Sequence, residues 1–176
     1  MADSRSSLDT MIQGSAVDLF HSCGLAVAPV ARSQVRSDVL QTPELGGIIS
    51  FVGRGFTGTL TVGISPAVFA LIKQDPMRPY TGRDWVREMT NQLLGRIKSR
   101  LLQFHITLQA GLPTVMGSDA IERQRARGGL FSAYKFRTLR GDVLVTLSGD
   151  IDPGIFVYTG AAPATGVATE GDVILF

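Results

Sequence analysis

The sequence predicts an α+β domain in which an antiparallel sheet is covered on one face by long helices. Two stretches with helical periodicity support this prediction, and each is followed by strand-like segments and a hairpin. The second strand of each hairpin reads alike, with Gly-Thr-Leu-Thr-Val-Gly at 58–63 and Gly-Asp-Val-Leu-Val-Thr at 141–146. Two pseudo-repeated halves in the order helix, strand and hairpin would place antiparallel strands in one sheet and pack the helices on a face.

The composition is typical of one globular domain, which we expect to span residues 1–176. Hydrophobic residues make up 44% of the chain and charged residues 18%, and this much apolar surface excludes intrinsic disorder because its burial offsets the entropy of ordering. The 17 Lys and Arg only slightly exceed the 15 Asp and Glu. Nucleic-acid binding needs clustered basic residues, so no nucleic-acid partner is expected despite a pI near 9.0.

Cysteine and histidine content bear on cellular location and on metals. The single cysteine, Cys23, has no partner for an internal disulfide, and His21 and His105 show no zinc-binding spacing. The first residues lack the apolar core of a signal peptide, and no run approaches the roughly 18 apolar residues that span a bilayer. We therefore expect a soluble cytoplasmic protein that has no membrane partner and holds no metal itself.

The first half of the chain begins with a helix and continues into a hairpin. Ser7-Leu8-Asp9 supply N-cap candidates, and Gly24 is a typical helix end. Gly53-Arg54-Gly55 has turn composition, and Ser65-Pro66 matches an N-cap followed by proline at the first helical position. The predicted elements are a helix over 7–24, a partly alternating segment over 29–40, strands over 46–54 and 57–65, and a short helix over 66–73.

The second half of the chain contains the longest helical stretch, from Gly82 to Phe104, with no proline and one glycine. The elements predicted after it are a strand over 107–116 interrupted by Gly111 and Pro113, a polar connector over 118–129, and a hairpin of 130–139 and 142–148 across Arg140-Gly141. Residues 172–176 are predicted as either a last short strand or a disordered end.

At 100° per residue the long helix separates into two sides. The predicted buried stripe consists of Val86, Met89, Leu93, Ile97, Leu101 and Phe104, with Leu94 at its edge. The opposite side, which we call the long-helix strip, consists of Asp84, Glu88, Asn91, Gly95, Lys98 and Leu102. A solvated face is the simplest interpretation of such a strip.

Two residues of the long-helix strip are unusual for a merely solvated face. Gly95 costs about 1 kcal/mol relative to alanine inside a helix and adds no solubility, but its missing side chain would permit close approach. Asn91 is the chain's only asparagine, and it follows Glu88, one of just 4 glutamates, by three positions. This pairing is suggestive, although it is too short to be a motif by itself.

The surrounding residues extend the pattern to D-x3-E-x2-N-x3-G-x2-K, from Asp84 to Lys98, with Leu112-Pro113-Thr114 downstream. This combination resembles the CheC/CheX family of chemotaxis phosphatases, whose active helix carries an E-x2-N pair followed by this glycine. The segment Gly55–Pro66 is similar to the family's hairpin before that helix. The resemblance covers residues 45–117 best.

The resemblance implies hydrolysis of the phosphoaspartate on a CheY-like response regulator. Asn91 would position the attacking water and Glu88 would pair with the regulator's active-site lysine, so these two are the predicted catalytic residues. Asp84, Gly95 and Lys98 are the predicted partner-binding residues. Mg²⁺ is expected in the regulator, and this chain would bind no cofactor.

The first helix indicates a CheX-like rather than a CheC-like chain. Laying Asp9-x3-Gln13-x2-Ala16 over the long helix retains the aspartate but replaces the glutamate and asparagine, which leaves one active helix. CheX-like proteins are usually homodimers, so a homodimer is expected. The main alternative is a noncatalytic module, like the flagellar switch proteins, that binds a response regulator or another partner. The presence of both Glu88 and Asn91 favours catalysis.

Overall fold

The structure is a computed structural model that describes residues 4–31, 43, 45–72, 81–117, 119 and 130–158. Its helices are α1 (Ser4–Ser22), α2 (Pro66–Ile72) and α3 (Gly82–Leu102). Its strands are β1 (Ala28–Pro29), β2 (Leu45–Gly53), β3 (Phe56–Ile64), β4 (Leu108–Ala110), β5 (Thr114–Gly117), β6 (Leu130–Arg137) and β7 (Asp142–Ile151). These elements confirm the predicted α+β class.

All the described strands belong to one antiparallel sheet, in the order β1-β6-β7-β3-β2-β4, with β5 also paired to β2. Both predicted hairpins are present. The first turns at Arg54-Gly55, between the paired residues Gly53 and Phe56, and Gly55 has a positive φ of 71° that favours glycine. The second pairs β6 with β7 from Arg137 and Asp142 onward.

The topology confirms the pseudo-repeat. Strands β3 and β7, which carry the two similar sequences, pair with each other at the centre of the sheet. The short strand after α1 pairs with β6 of the second half, and the short strands after α3 pair with β2 of the first half. Each half therefore supplies an edge strand to the hairpin of the other half.

One face of the sheet carries both long helices. The register aligns Gly47, Val62, Val145 and Tyr134 in a single row across four strands. A Cβ added to Gly47 would overlap the Val86 carbonyl oxygen on α3, and Tyr134 donates a hydrogen bond to Asp9 on α1. Because these residues share a row, both helices pack on the same face, as predicted.

Helix α1 begins at Ser4, three residues before the predicted N-cap, and it ends as predicted near Gly24. Gly24 has φ 77°, its N–H bonds to the His21 carbonyl, and the Leu25 N–H bonds to the Phe20 carbonyl. This is a Schellman motif, which satisfies carbonyls that the helix end would otherwise leave unpaired.

Helix α3 ends at Leu102, two residues before the predicted end, and closes with the same motif around His105. The N–H groups of His105 and Ile106 bond to the Leu102 and Leu101 carbonyls, and His105 adopts φ 59°. The predicted strand over 107–116 is divided into β4 and β5, as the glycine and proline within it indicated.

Several predicted segments lie partly or wholly outside the described residues: most of 29–40, the end of the helix over 66–73, nearly all of 118–129, and 172–176. None of the described helices combines the length and the apolar composition that a membrane-spanning segment needs.

Candidate functional site

The long helix separates into a buried and a solvent-facing side, as its periodicity predicts. Val86, Met89, Leu93, Leu94, Ile97 and Leu101 are all at most 4% exposed. Phe104 lies beyond the helix end and is half-buried, with its ring edge-on to Tyr158 at 4.8 Å. Two further residues, Trp85 and Thr90, are also buried. The buried side is wider than predicted because α3 packs against both the sheet and α1.

Asp84 begins the long-helix strip and takes part in capping the helix. The Thr81 hydroxyl accepts a hydrogen bond from the Asp84 backbone N–H at 3.2 Å and donates one to Asp84 Oδ2 at 2.6 Å. Arg87 Nη2 donates to Asp84 Oδ1 at 3.2 Å. The hydrogen bond from Thr81 lowers the pKa of Asp84 below its usual 3.8, and the Arg87 charge acts in the same direction. Both carboxylate oxygens therefore have partners, one from the N-cap residue and one from the first turns of α3.

Glu88 is half-buried, and it lies one helical turn before Asn91. Its Oε1 accepts a hydrogen bond from Gln92 Nε2 at 2.7 Å, across the four-residue spacing that places side chains side by side on a helix. This contact holds the carboxylate against the surface of α3.

Asn91 is exposed, and its carboxamide forms no hydrogen bond with the part of the chain that the structure describes. Its oxygen can accept hydrogen bonds, and its two amide protons can be donated. Residues three apart on a helix have Cβ atoms about 5–6 Å apart, so Asn91 and Glu88 can reach one external group together.

Gly95 lies one turn beyond Asn91 on the exposed face. A Cβ added there would have no heavy atom within 4 Å, apart from the helix's own backbone nearby. No packing within the described chain therefore requires glycine at this position, in contrast to Gly47. The predicted role of Gly95, close approach by another molecule, remains compatible with this geometry.

Lys98 and Leu102 complete the strip. Lys98 is half-buried and has no ion pair with any described residue. Leu102 is 46% exposed, whereas Leu93, Leu94 and Leu101 on the same helix are at most 2% exposed.

The structure corrects the overlay of α1 on α3. Asp9 accepts hydrogen bonds from Ser132 and Tyr134 on β6 and so faces the sheet, and Ala16 is fully buried. Each buried residue of α1 lies 74 positions before a buried residue of α3, whereas matching Asp9 to Asp84 requires a shift of 75. At a shift of 74 the buried faces of the two helices correspond, and Gly14 and Val17 align with Glu88 and Asn91. In either alignment α1 lacks the glutamate–asparagine pair.

Comparison with known proteins identifies the fold. No family model matches the chain, and no curated protein matches it by sequence. Among solved structures, a CheC-like chemotaxis protein from Shewanella oneidensis superposes with a TM-score of 0.66 at 19% identity, over 82% of this chain and 98% of the other. CheX from Vibrio vulnificus gives 0.64 at 15% identity, over 80% and 95%.

A third similar structure is a complex of CheX with CheY, BeF3 and Mg²⁺ from Borrelia burgdorferi. It superposes with a TM-score of 0.60 at 11% identity, over 79% of this chain and 95% of that one. The chain therefore has the fold of the CheC-like and CheX chemotaxis proteins. The family resemblance predicted from the sequence is confirmed at the level of the fold.

Proposed function

We propose that the protein is a phosphatase that hydrolyses the phosphoaspartate of a CheY-like response regulator and so ends a chemotaxis or motility signal. The observation that supports this most directly is the state of the long-helix strip. Glu88 and Asn91 lie one turn apart on the solvent-facing side of α3, and the Asn91 carboxamide has no hydrogen-bond partner among the described residues.

The reaction needs positioning more than covalent chemistry. An aspartyl phosphate is already an activated acyl phosphate, so the main requirement is one water molecule held in line with phosphorus. Its oxygen bonds to phosphorus as the bond between phosphorus and the aspartyl oxygen breaks. The products are the free carboxylate and inorganic phosphate, and a water proton passes to phosphate or solvent.

A neutral carboxamide suits this task. The Asn91 oxygen would accept a hydrogen bond from the water, while the amide protons face phosphoryl oxygens. An aspartate at the same position would repel the incoming phosphoryl group.

Glu88 would form a salt bridge with the regulator's active-site lysine and thereby orient the partner. Its Oε1 bonds to Gln92, and a carboxylate can accept several further hydrogen bonds at its two oxygens. Mg²⁺ would be held by the regulator, so no step requires a metal ligand from this chain.

The proposal includes a homodimer, which follows from the resemblance to CheX-like proteins. The mass in solution, measured by sedimentation or light scattering, tests it. A monomer over the micromolar range would contradict this part of the proposal without affecting the chemistry.

The test of the activity measures loss of radiolabelled phosphate from CheY-like receiver domains of the source genome, with and without the protein. We expect wild type to accelerate the loss, and Asn91→Ala to reduce that acceleration about 100-fold because the water is no longer held in line. Asn91→Ala should still bind the regulator, whereas Glu88→Ala should weaken both binding and hydrolysis.

Gln109 offers a matched control, since it is an exposed carboxamide whose strand register places it on the sheet face opposite the helices. Gln109→Ala should match wild type. Equal acceleration by wild type and Asn91→Ala would show that the assignment is wrong. Binding of a phosphorylated regulator without any acceleration would favour the noncatalytic module.

A further inference from the structure

We propose, on the basis of the function above, that the regulator contacts only the part of the long-helix strip from Glu88 to its C-terminal end. Lys98 and Leu102 form a second contact that selects the partner, and Asp84 belongs to the helix cap. The regulator surface that fits carries an acidic side chain about 10 Å from Asn91 and an apolar side chain about 16 Å from it, at a rise of 1.5 Å per residue.

The N-terminal end of the strip is already occupied by contacts within the chain. Thr81 bonds to one oxygen of the Asp84 carboxylate and Arg87 to the other. Docking on Asp84 would compete with these contacts, which support the first turn of α3. The predicted partner-binding role of Asp84 is therefore replaced here by a structural one.

The C-terminal end of the strip has the opposite character. Lys98 has no ion pair among the residues that the structure describes, and Leu102 exposes nearly half of its surface to solvent. Burial of this remaining apolar surface would stabilise a complex, and it requires another surface that covers the 46% of Leu102 left exposed by the domain.

Gly95 connects this end of the strip to Asn91. Because a Cβ at Gly95 would have open space around it, the partner's backbone can lie directly on the helix between the water-positioning carboxamide and the second contact. All these residues belong to one regular helix, so their spacing is rigid. A rigid spacing lets one docking event align the reacting atoms and the second contact together.

The chemistry of the second contact defines the partner. A lysine beside an exposed leucine matches an acidic residue beside an apolar one, and a receiver domain that lacks either would bind more weakly. Other occupants of Leu102, a second copy of this chain above all, are distinguishable outcomes of the test.

The experiment measures affinity separately from hydrolysis. The probe is the CheY-like regulator loaded with Mg²⁺ and beryllofluoride, which takes the place of the phosphoryl group and is not hydrolysed. We expect Lys98→Glu to raise Kd about 10-fold and Leu102→Ser about 5-fold, while kcat at saturating phosphorylated regulator stays within about 2-fold of wild type. The Lys98→Glu complex should also depend less on salt concentration.

Leu139 and Arg140 provide matched controls, since both are exposed in the β6–β7 turn. Gly141, the next residue of that turn, packs near Ser65 and Val68. Phe69, on the same short helix as Val68, packs near Gly82 at the start of α3. The turn therefore lies toward the N-terminal end of α3, whereas Lys98 and Leu102 lie toward its C-terminal end. Leu139→Ser, Arg140→Glu and Asp84→Ala should leave Kd within about 2-fold of wild type.

Unchanged Kd for both Lys98→Glu and Leu102→Ser overturns the second contact and leaves the proposed function intact if Asn91→Ala still loses activity. A raised Kd for Asp84→Ala in a fully folded protein would show that the regulator also contacts Asp84, which overturns the limit of the contact at Glu88. A change in oligomeric mass with unchanged Kd assigns Leu102 to contact between copies. If no receiver domain binds wild type, both proposals are wrong.

Discussion

Replacing Gly95 by alanine separates the contribution of this residue to stability from its contribution to docking. Glycine inside a helix costs about 0.5–1 kcal/mol relative to alanine, because it loses more backbone freedom on folding. Apart from the helix's own nearby backbone, an alanine Cβ at this position meets nothing within 4 Å, so no clash opposes the gain. We therefore expect Gly95→Ala to raise the free energy of unfolding by about 0.5–1 kcal/mol.

Urea denaturation followed by circular dichroism measures this gain as a higher midpoint with an unchanged m value. For a domain of this size, about 1 kcal/mol raises Tm by roughly 2–4 °C. The same variant should bind the beryllofluoride-loaded regulator more weakly and accelerate phosphate loss less, because the new methyl group lies where the partner's backbone is proposed to approach.

Gly14→Ala in α1 is the matched control. A Cβ at Gly14 would meet only the end of the flexible Arg100 side chain, at 3.4 Å, so a similar gain in stability is expected with no loss of activity. Destabilisation by Gly95→Ala would refute the open space around Gly95. Stabilisation with full activity would refute its role in docking.

Three further predictions concern the fold. Gly47→Ala should lower the free energy of unfolding by about 1–3 kcal/mol in urea titrations, because the alanine Cβ would overlap the Val86 carbonyl oxygen. Wild-type stability of this variant would contradict the close packing of α3 on β2. His105→Gly should raise stability by about 0.5–1 kcal/mol, since relief of its positive φ exceeds the entropy cost of glycine, and a lower Tm would contradict this. By NMR, Asp84 should titrate below 3.8, and Thr81→Ala should bring its pKa back toward that value. Because the pKa of Asp84 is lowered in the folded protein, its carboxylate contributes to the free energy of unfolding at neutral pH, and this contribution is lost as pH falls through the folded pKa. A measured pKa at or above 3.8 would contradict the hydrogen bond from Thr81.

Local sequence signals predicted the individual elements well. Alternation along β3 and the glycine turn at Arg54-Gly55 placed the first hairpin within one residue at each end. The proline-free run after Gly82 located α3, and its end differed by two residues. These signals work because hydrogen bonding within a turn or a helix depends on neighbours close in the chain.

The width and phase of the buried faces were harder to predict. Thr90 faces the sheet because Gly47 admits it there, and its hydroxyl bonds to the Val86 carbonyl at 2.6 Å, so a polar residue is buried without an unpaired group. Asp9 faces β6 because the hydroxyl groups of Ser132 and Tyr134 donate hydrogen bonds to its carboxylate there. Periodicity assigns polar residues to solvent, and it has no information about a distant partner that satisfies them.

The amino-acid sequence alone was sufficient to locate Glu88, Asn91 and Gly95 on one side of a long helix, because that depends only on 100° of rotation per residue. Strand pairing between the two halves depends on contacts distant in the chain, which no local pattern encodes. The same holds for the state of each group in the strip. Thr81, Arg87 and Gln92 bond to the carboxylates at one end, while at the other end Lys98 has no ion pair among the described residues and Leu102 stays 46% exposed.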